Sequence, residues 1–341
     1  MRRADFLVPA AAAAAALGVS ALTVFLSGSD PVVALTALAH GAFGDRFALS
    51  DTLLKTCPLL LTGLAVAVAF RTGIWNIGAE GQLLIGAVAA TAVGSVCGAL
   101  PFPLPLLAAV TAAALAGAFW SGIAAGLRVT RNVSEVISTI MLNFVAVRLI
   151  GWAVHGPLME TAGRYPQSDP LPANAALPLL VGRIHLGIPL ALLLAVAIWG
   201  LLFRTAAGFR WRVCGQNPRA AEFAGFRPGR ELVAAMLVSG ALAGLAGAVE
   251  VLGVTGRLYE QFSAGHGYTA IAVALLARLH PAGVTLTALF FGALAAGSGA
   301  LQRTVGVSAV LVAIVQATTI LILLALDSPR AANARQRSTT P

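Results

Sequence analysis

Long apolar runs separated by short polar breaks make up most of the chain, and their lengths predict membrane-crossing helices. The first, Phe6 to Leu26, follows Arg2 and Arg3 and is about 21 residues long, enough to cross a bilayer core. SGSDP after it is a poor cleavage site, so an uncleaved first span (5–27) with a cytoplasmic N-terminus is expected. Asp30 to Asp51 is mixed, and Val32, Val33, Leu35 and Leu38 at roughly helical spacing predict an interfacial helix on the outer surface. Further spans are expected over Thr52–Phe70, kinked at Pro58 and Gly63, over Ile77–Leu100 up to a rigid PFPLP turn, and over Leu104–Leu127. Others start at Asn132 and cover His185–Phe203, Glu231–Leu252, Val284–Leu301 and Val307–Leu326. Tyr268–His280 is too short for an upright span and reads as a half-helix or as part of a longer one.

The pattern therefore predicts an all-α polytopic membrane protein of about ten transmembrane helices, a single transmembrane domain over 1–341. Its parts are the first span, a first core (52–155), a proline-rich outer loop (156–184), a cytoplasmic loop (204–231), a second core (232–326) and a cytoplasmic tail (327–341). Arginines fall mostly on the side that this topology makes cytoplasmic, as the positive-inside rule requires.

The polar breaks carry the candidate chemistry. FRTGIWNIGAEGQLLIG, Phe70 to Gly86, places Arg71, Asn76, Glu80 and Gln82 among glycines between two apolar runs. Polar groups at membrane depth usually face a bundle interior or a water path, and irregular backbone is tolerated there only where protein or a cavity satisfies it. With a helix from about Ile74, Asn76 and Glu80 would share a face, and Gly78 and Gly81 would permit the backbone geometry that presents them. The alternative is a short cytoplasmic hairpin with solvated side chains. In the next polar helix Asn132 and Glu135 resemble a capping box, and Glu135, Thr139 and Asn143 form one stripe. Asn143 is either an interhelical hydrogen bond or a pathway residue. Gly117, Ser121 and Ala125 predict a close helix contact.

RTAAGFRWRVCGQNPRAAEFAGFRPGRE, Arg204 to Glu231, holds six arginines. Asn217 as cap, Pro218 at the first helical position and Gly225 as stop predict a two-turn helix on the cytoplasmic face, against a plain solvated loop. Glu250 reads as a partner of Arg257 or as a pathway group. TGLAVAVAF (62–70) and AGLAGAVEV (243–251) form a weak internal repeat.

Composition agrees: of 341 residues 58% are hydrophobic and 10% charged, with mean hydropathy +0.88, whereas a soluble domain has about 25% charged residues. The net charge of +9 comes from arginines spread by topology, not from an aromatic-interleaved patch, so nucleic acid is not an expected partner. Cys57, Cys97 and Cys214 make neither a disulfide framework nor a metal site, and no cofactor is expected. Lys55 is the only lysine and follows no glycine-rich loop, so the chain has no P-loop. An enzyme is disfavoured, since no histidine spacing suits a metal and Ser298 has no base in reach. An ion-coupled secondary transporter remains the rival, with Glu80 its one strong ion ligand.

FRTGIWNIGAEGQLLIGA, SEVISTIMLNFVA, CGQNPRAAEFAGF and GYTAIAVALLARLHPAG, in this order, resemble the permease subunits of bacterial ATP-binding-cassette importers for nucleosides and simple sugars, within the ribose and branched-chain amino-acid permease superfamily. The resemblance runs from about Leu53 to Leu326. It implies a type II importer fold with two pseudo-symmetric halves in a bacterial cell (inner) membrane, both termini cytoplasmic. It also implies three partners: a second, related permease, a cytoplasmic ABC ATPase and an extracytoplasmic substrate-binding protein. The pathway would then carry Asn76, Glu80, Gln82 and Asn143, and Asn217, Pro218, Ala221, Glu222 and Gly225 would belong to the helix that couples to the ATPase. Arg278 and Leu279 depart from the glycine- and asparagine-rich turn expected at their position.

Overall fold

The computed structural model describes residues 30–305, with isolated positions 18, 21, 25 and 317 beside them. The expected first span, the span from Val307 and the tail lie outside the described residues. Within them the chain is almost entirely helical: α1 (Pro31–Phe43), α2 (Arg46–Arg71), α3 (Ala79–Val96), α4 (Leu104–Arg131), α5 (Glu135–His155), α6 (Gly187–Arg204), α7 (Ala206–Gln216), α8 (Pro218–Phe223), α9 (Pro228–Glu250), α10 (His266–Leu276) and α11 (Pro281–Val305). Seven of these, α2 to α6, α9 and α11, are long and apolar enough to cross a membrane, while α1 and α10 are shorter apolar helices. The outer loop carries one small antiparallel hairpin, β1 (Leu179–Val181) and β2 (Ile184–His185).

Helix α9 is the centre of the packing, lying against α2, α3 and α4. Its glycines let these neighbours touch backbone to backbone. A side chain at Gly240 or Gly244 would collide with Gly117 and with the Ala113 carbonyl of α4, and one at Gly86 of α3 would collide with Gly244. Ser121 closes that crossing by donating to the Met236 carbonyl at 2.7 Å. The predicted face of Gly117, Ser121 and Ala125 is thus a buried helix contact. Helix α2 is the most enclosed span and packs on α6, α9, α10 and α11.

Several boundaries differ from the pattern-based expectation. Helix α2 starts at Arg46 because Asp45 caps it, accepting from the Ala48 amide at 2.7 Å. Helix α3 starts at Ala79, after a non-helical Ile74–Gly78 stretch, so Asn76 and Glu80 do not share a helix face. Asn132 does not open α5. It ends α4 in the left-handed conformation (φ 51°), where it accepts from Arg128, and Glu135 pairs with Arg128 at 3.3 Å. The basic stretch after α6 holds an unexpected helix, α7, capped by Thr205. Arg257 pairs with Glu160 of the outer loop at 3.6 Å, not with Glu250.

Candidate functional site

The non-helical link between α2 and α3 is where the polar residues converge. Gly73 adopts φ +83°, turning the chain out of α2 under Gly215, the penultimate residue of α7. Asn76 then faces Gln82 in a reciprocal amide pair: its Nδ2 donates to Gln82 Oε1 at 3.1 Å, and Gln82 Nε2 donates back to Asn76 Oδ1 at 3.0 Å. Asn76 Oδ1 also accepts the Gly78 amide at 2.9 Å, and its Nδ2 donates to Ser239 Oγ at 2.9 Å. Ser239 donates in turn to the Ala65 carbonyl of α2 at 2.7 Å. One small network therefore ties α2, the link, α3 and α9 together.

Asn143 of α5 closes the other side. Its Oδ1 accepts the Gly81 amide at 2.8 Å, and its Nδ2 donates to the Ile77 carbonyl at 2.9 Å and to the Tyr268 hydroxyl at 3.3 Å. Of the two roles open for Asn143, the interhelical hydrogen bond is the one observed. A β-carbon at Gly81 would stand 2.8 Å from Asn143 Oδ1 and 3.0 Å from its Cα. Gly78 and Gly81 both lie outside the left-handed region, Gly78 at φ −86°. They are needed for close approach to Gln82, Thr139 and Asn143, and not for unusual dihedral angles.

Glu80 points to the start of α10. Its Oε2 accepts the Gly267 amide at 2.7 Å, and Ser263, Gly265 and Tyr268 stand around the carboxylate. The first amides of a helix lack intrahelical acceptors and carry partial positive charge, so a carboxylate from α3 caps α10. Asn76, Glu80, Gln82 and Asn143 are all buried with partners inside the chain. In this conformation they brace α10 and the link from behind. Sequence reasoning missed Ser239, Gly267 and Tyr268.

A second cluster lies at the same end of α2, just before the link. Arg71 Nε donates to the Leu279 carbonyl at 2.7 Å, and its guanidinium stacks on Phe203 at 4.9 Å, with Arg212 at 5.1 Å from the same ring. Leu279 and Arg278 hold φ 57° and 50°, the left-handed backbone that glycine and asparagine enter most readily. This is why a glycine- and asparagine-rich turn suits that position.

Helix α8 follows directly after α7. Asn217 caps it by accepting the Ala220 amide at 3.1 Å, and Pro218 takes the first helical position. Gly225 at φ +81° ends it, with Phe226 N donating to Ala221 O at 3.0 Å and Gly225 N to Glu222 O at 2.9 Å, the paired bonds of a Schellman cap. Ala221 is its buried anchor, while Asn217, Pro218 and Glu222 are exposed. Phe223, which sequence reasoning passed over, is 94% exposed. Beside it a cleft of about 640 Å³ is lined by Val129, Glu222, Phe226, Arg227, Val233 and Leu237.

The outer loop is ordered by its acids. Glu160 accepts from Gln167 Nε2 at 2.6 Å and from the Tyr165 and Arg164 amides, and Arg257 stands beside it. Asp169 accepts from the Thr161 hydroxyl and amide. The Gln167 bond first, and the Thr161 hydroxyl for Asp169, hold both carboxyls below their ordinary range.

The family of the branched-chain amino acid transport system, permease component, matches residues 48–324. Among curated relatives, the guanosine ABC transporter permease protein NupP of Bacillus subtilis is 38% identical over 94% of this chain and 94% of its own. The glucose ABC transporter permease protein TsgB13 of Haloferax volcanii is 38% identical over 91% of this chain and 84% of its own. The nucleoside ABC transporter permease protein NupB of Lactococcus lactis is 33% identical over 86% of this chain and 83% of its own. No solved structure gives a significant match.

Proposed function

The chain belongs to the permease family of branched-chain amino acid transport systems, and we propose from this that it is the membrane permease subunit of an ATP-driven importer for a nucleoside or a simple sugar. It is a transport component and not an enzyme. Relatives that carry guanosine and glucose, matched nearly end to end, support the solute class. The full permease has about ten crossings in two related halves, with both termini in the cytoplasm of the cell membrane. It pairs with a second, related permease around a shared pathway and receives solute from an extracytoplasmic binding protein. Cytoplasmic ATPase subunits grip α8 through Asn217, Pro218, Ala221, Glu222, Gly225 and, above all, Phe223.

The observation that carries this reading is the contact of α7, which leads directly into α8, with the polar junction. Movement imposed on α8 reaches Gly215 in α7, which rests on Gly73 with no space between their backbones. From there it passes along the link to Glu80 and so to the start of α10. Asn76, Glu80, Gln82 and Asn143 act in the pathway as its rear wall, and they meet solute only when α10 shifts. In the ion-coupled alternative Glu80 would have to bind a cation, yet its carboxylate is taken up by donors from the α10 start.

The test is uptake of labelled guanosine, uridine and glucose into inverted and right-side-out vesicles holding the full transporter, with and without internal ATP. Uptake that needs ATP, survives collapse of ion gradients and falls on the order of tenfold or more in Phe223→Asp, the scale of losing an interface anchor, supports the reading. Uptake that ignores ATP and stops with the proton or sodium gradient refutes it.

A further inference from the structure

Arg148 is not accounted for by the junction or by the coupling helix. It lies on the exposed side of α5, among Phe144, Val145, Val147 and Trp152, and has no hydrogen-bond or ion-pair partner among the described residues. Seven residues separate it from His155 at the nearer end of α5, about 10 Å along the axis. Helical side chains lean toward the N-terminus, here the farther end, so the guanidinium is directed into the span and away from the nearer membrane surface. A guanidinium facing lipid at that depth is costly, and charges inside membranes face a protein interior or water.

Beside these apolar side chains stand a carboxylate and a phenol. One turn along, the Glu260 carboxylate lies 3.4 Å from where a β-carbon at Gly151 would stand, and residues three apart on a helix are surface neighbours. Tyr268 is 46% exposed, and its hydroxyl is held against α5 by Asn143. A cation and an anion thus lie on one exposed face of α5, and an aromatic ring borders the helix where Asn143 holds it.

We propose that this face, built from Arg148, Glu260 and Tyr268 over the Phe144–Gly151 stretch, is the water-exposed wall of the translocation pathway and touches the solute directly. The assignment rests on the permease reading above. Charges of opposite sign leave no net field to attract an ion, so the wall suits a neutral solute with many hydrogen-bonding groups. The Tyr268 ring adds a flat apolar surface for a planar ring, which favours a nucleoside over a simple sugar. Asn143 connects the wall to the buried network, so movement of α10 would move Tyr268 and alter the site.

Charged-thiol labelling of the assembled transporter in vesicles tests this, using a version with Cys57, Cys97 and Cys214 replaced by alanine. Phe144→Cys, Arg148→Cys and Tyr268→Cys are compared with Leu193→Cys and Val196→Cys, exposed positions on α6. A membrane-impermeant methanethiosulfonate should modify the first three on the order of tenfold faster than the α6 pair, as expected for water against lipid. Excess guanosine should slow that modification. Rates no faster than those on α6 overturn the proposal, whether lipid or another subunit covers the face; fast labelling that neither guanosine nor glucose slows overturns the solute contact. Phe144→Cys keeps Arg148 in place, so loss of the charge cannot by itself decide the result. ATP-driven uptake by the cysteine-free version is measured in the same vesicles. Uptake with an unlabelled face sinks this inference alone, and a labelled face without ATP-driven uptake sinks the permease reading instead.

Discussion

Asn76 and Gln82 illustrate what a buried amide does when another amide answers it. Each donates to and accepts from the other, and Ser239 and the Gly78 amide take the second donor and acceptor site of Asn76. Truncating one leaves the other buried and unpaired, a cost of about 1–3 kcal/mol. Asn76→Ala and Gln82→Ala should therefore each lower the melting temperature of the purified protein, and the double variant should lose less than their sum. Simple additivity in such a cycle would show that the pair is not coupled. At Arg278 the strain runs the other way. A left-handed residue that is neither glycine nor asparagine costs about 1–2 kcal/mol, so Arg278→Asn is expected to raise the melting temperature. No change or a fall would mean that Arg278 side-chain contacts outweigh its backbone cost.

Among the elements, the spans were legible because a crossing helix must be long and apolar, and seven such helices are present among the described residues. The cap, proline and glycine of α8 were legible for the same kind of reason, since each has one favoured position in a short helix. What escaped was the start of α3. Ile74 to Gly78 has a composition that a helix would accept, and only distant partners, Ser239, Thr139 and Asn143, draw it into a non-helical link. Helix α7 escaped because its arginines hide a helical stretch whose buried face is Gly208, Trp211 and Cys214. Asn132 was assigned to the wrong helix because asparagine serves both as an N-cap and in left-handed C-caps. The outer loop yields a prediction at this scale. Glu160 and Asp169 are depressed in the folded loop, so their contribution is full above the ordinary carboxylate range, about pH 4, and is lost as pH falls through their lower folded values. Protection factors over 160–169, taken relative to the intrinsic exchange rate at each pH, should be high at pH 7 and fall below about pH 4, ahead of those in α2. Protection that stays high at that pH would show that the acids do not order the loop.

In the whole molecule, the membrane core is held by contacts that leave no slack. Where α9 crosses α3 and α4, and where α7 meets the α2–α3 link, backbone lies on backbone. Such interfaces move as rigid bodies because packed helices shift between discrete arrangements and do not deform smoothly. This makes Gly215 a transmission point. Gly215→Val would push α7 off Arg71, Thr72 and Gly73. ATP hydrolysis by the assembled transporter should persist while solute uptake falls on the order of tenfold, the effect of about 1.4 kcal/mol on the coupled step. Equal loss of both activities would indicate failed assembly, and unchanged uptake would remove this contact from the route.

The reciprocal amide pair also constrains descent. A lineage that replaces Asn76 alone passes through a protein with an orphaned Gln82, and replacing Gln82 alone does the same to Asn76. Drift at one position is therefore blocked unless the other changes with it. Across distant descendants of a common ancestor, residues 76 and 82 should change together or not at all, with Ser239 following them, while Arg148 and Tyr268 remain free to diverge as lineages adapt to different solutes.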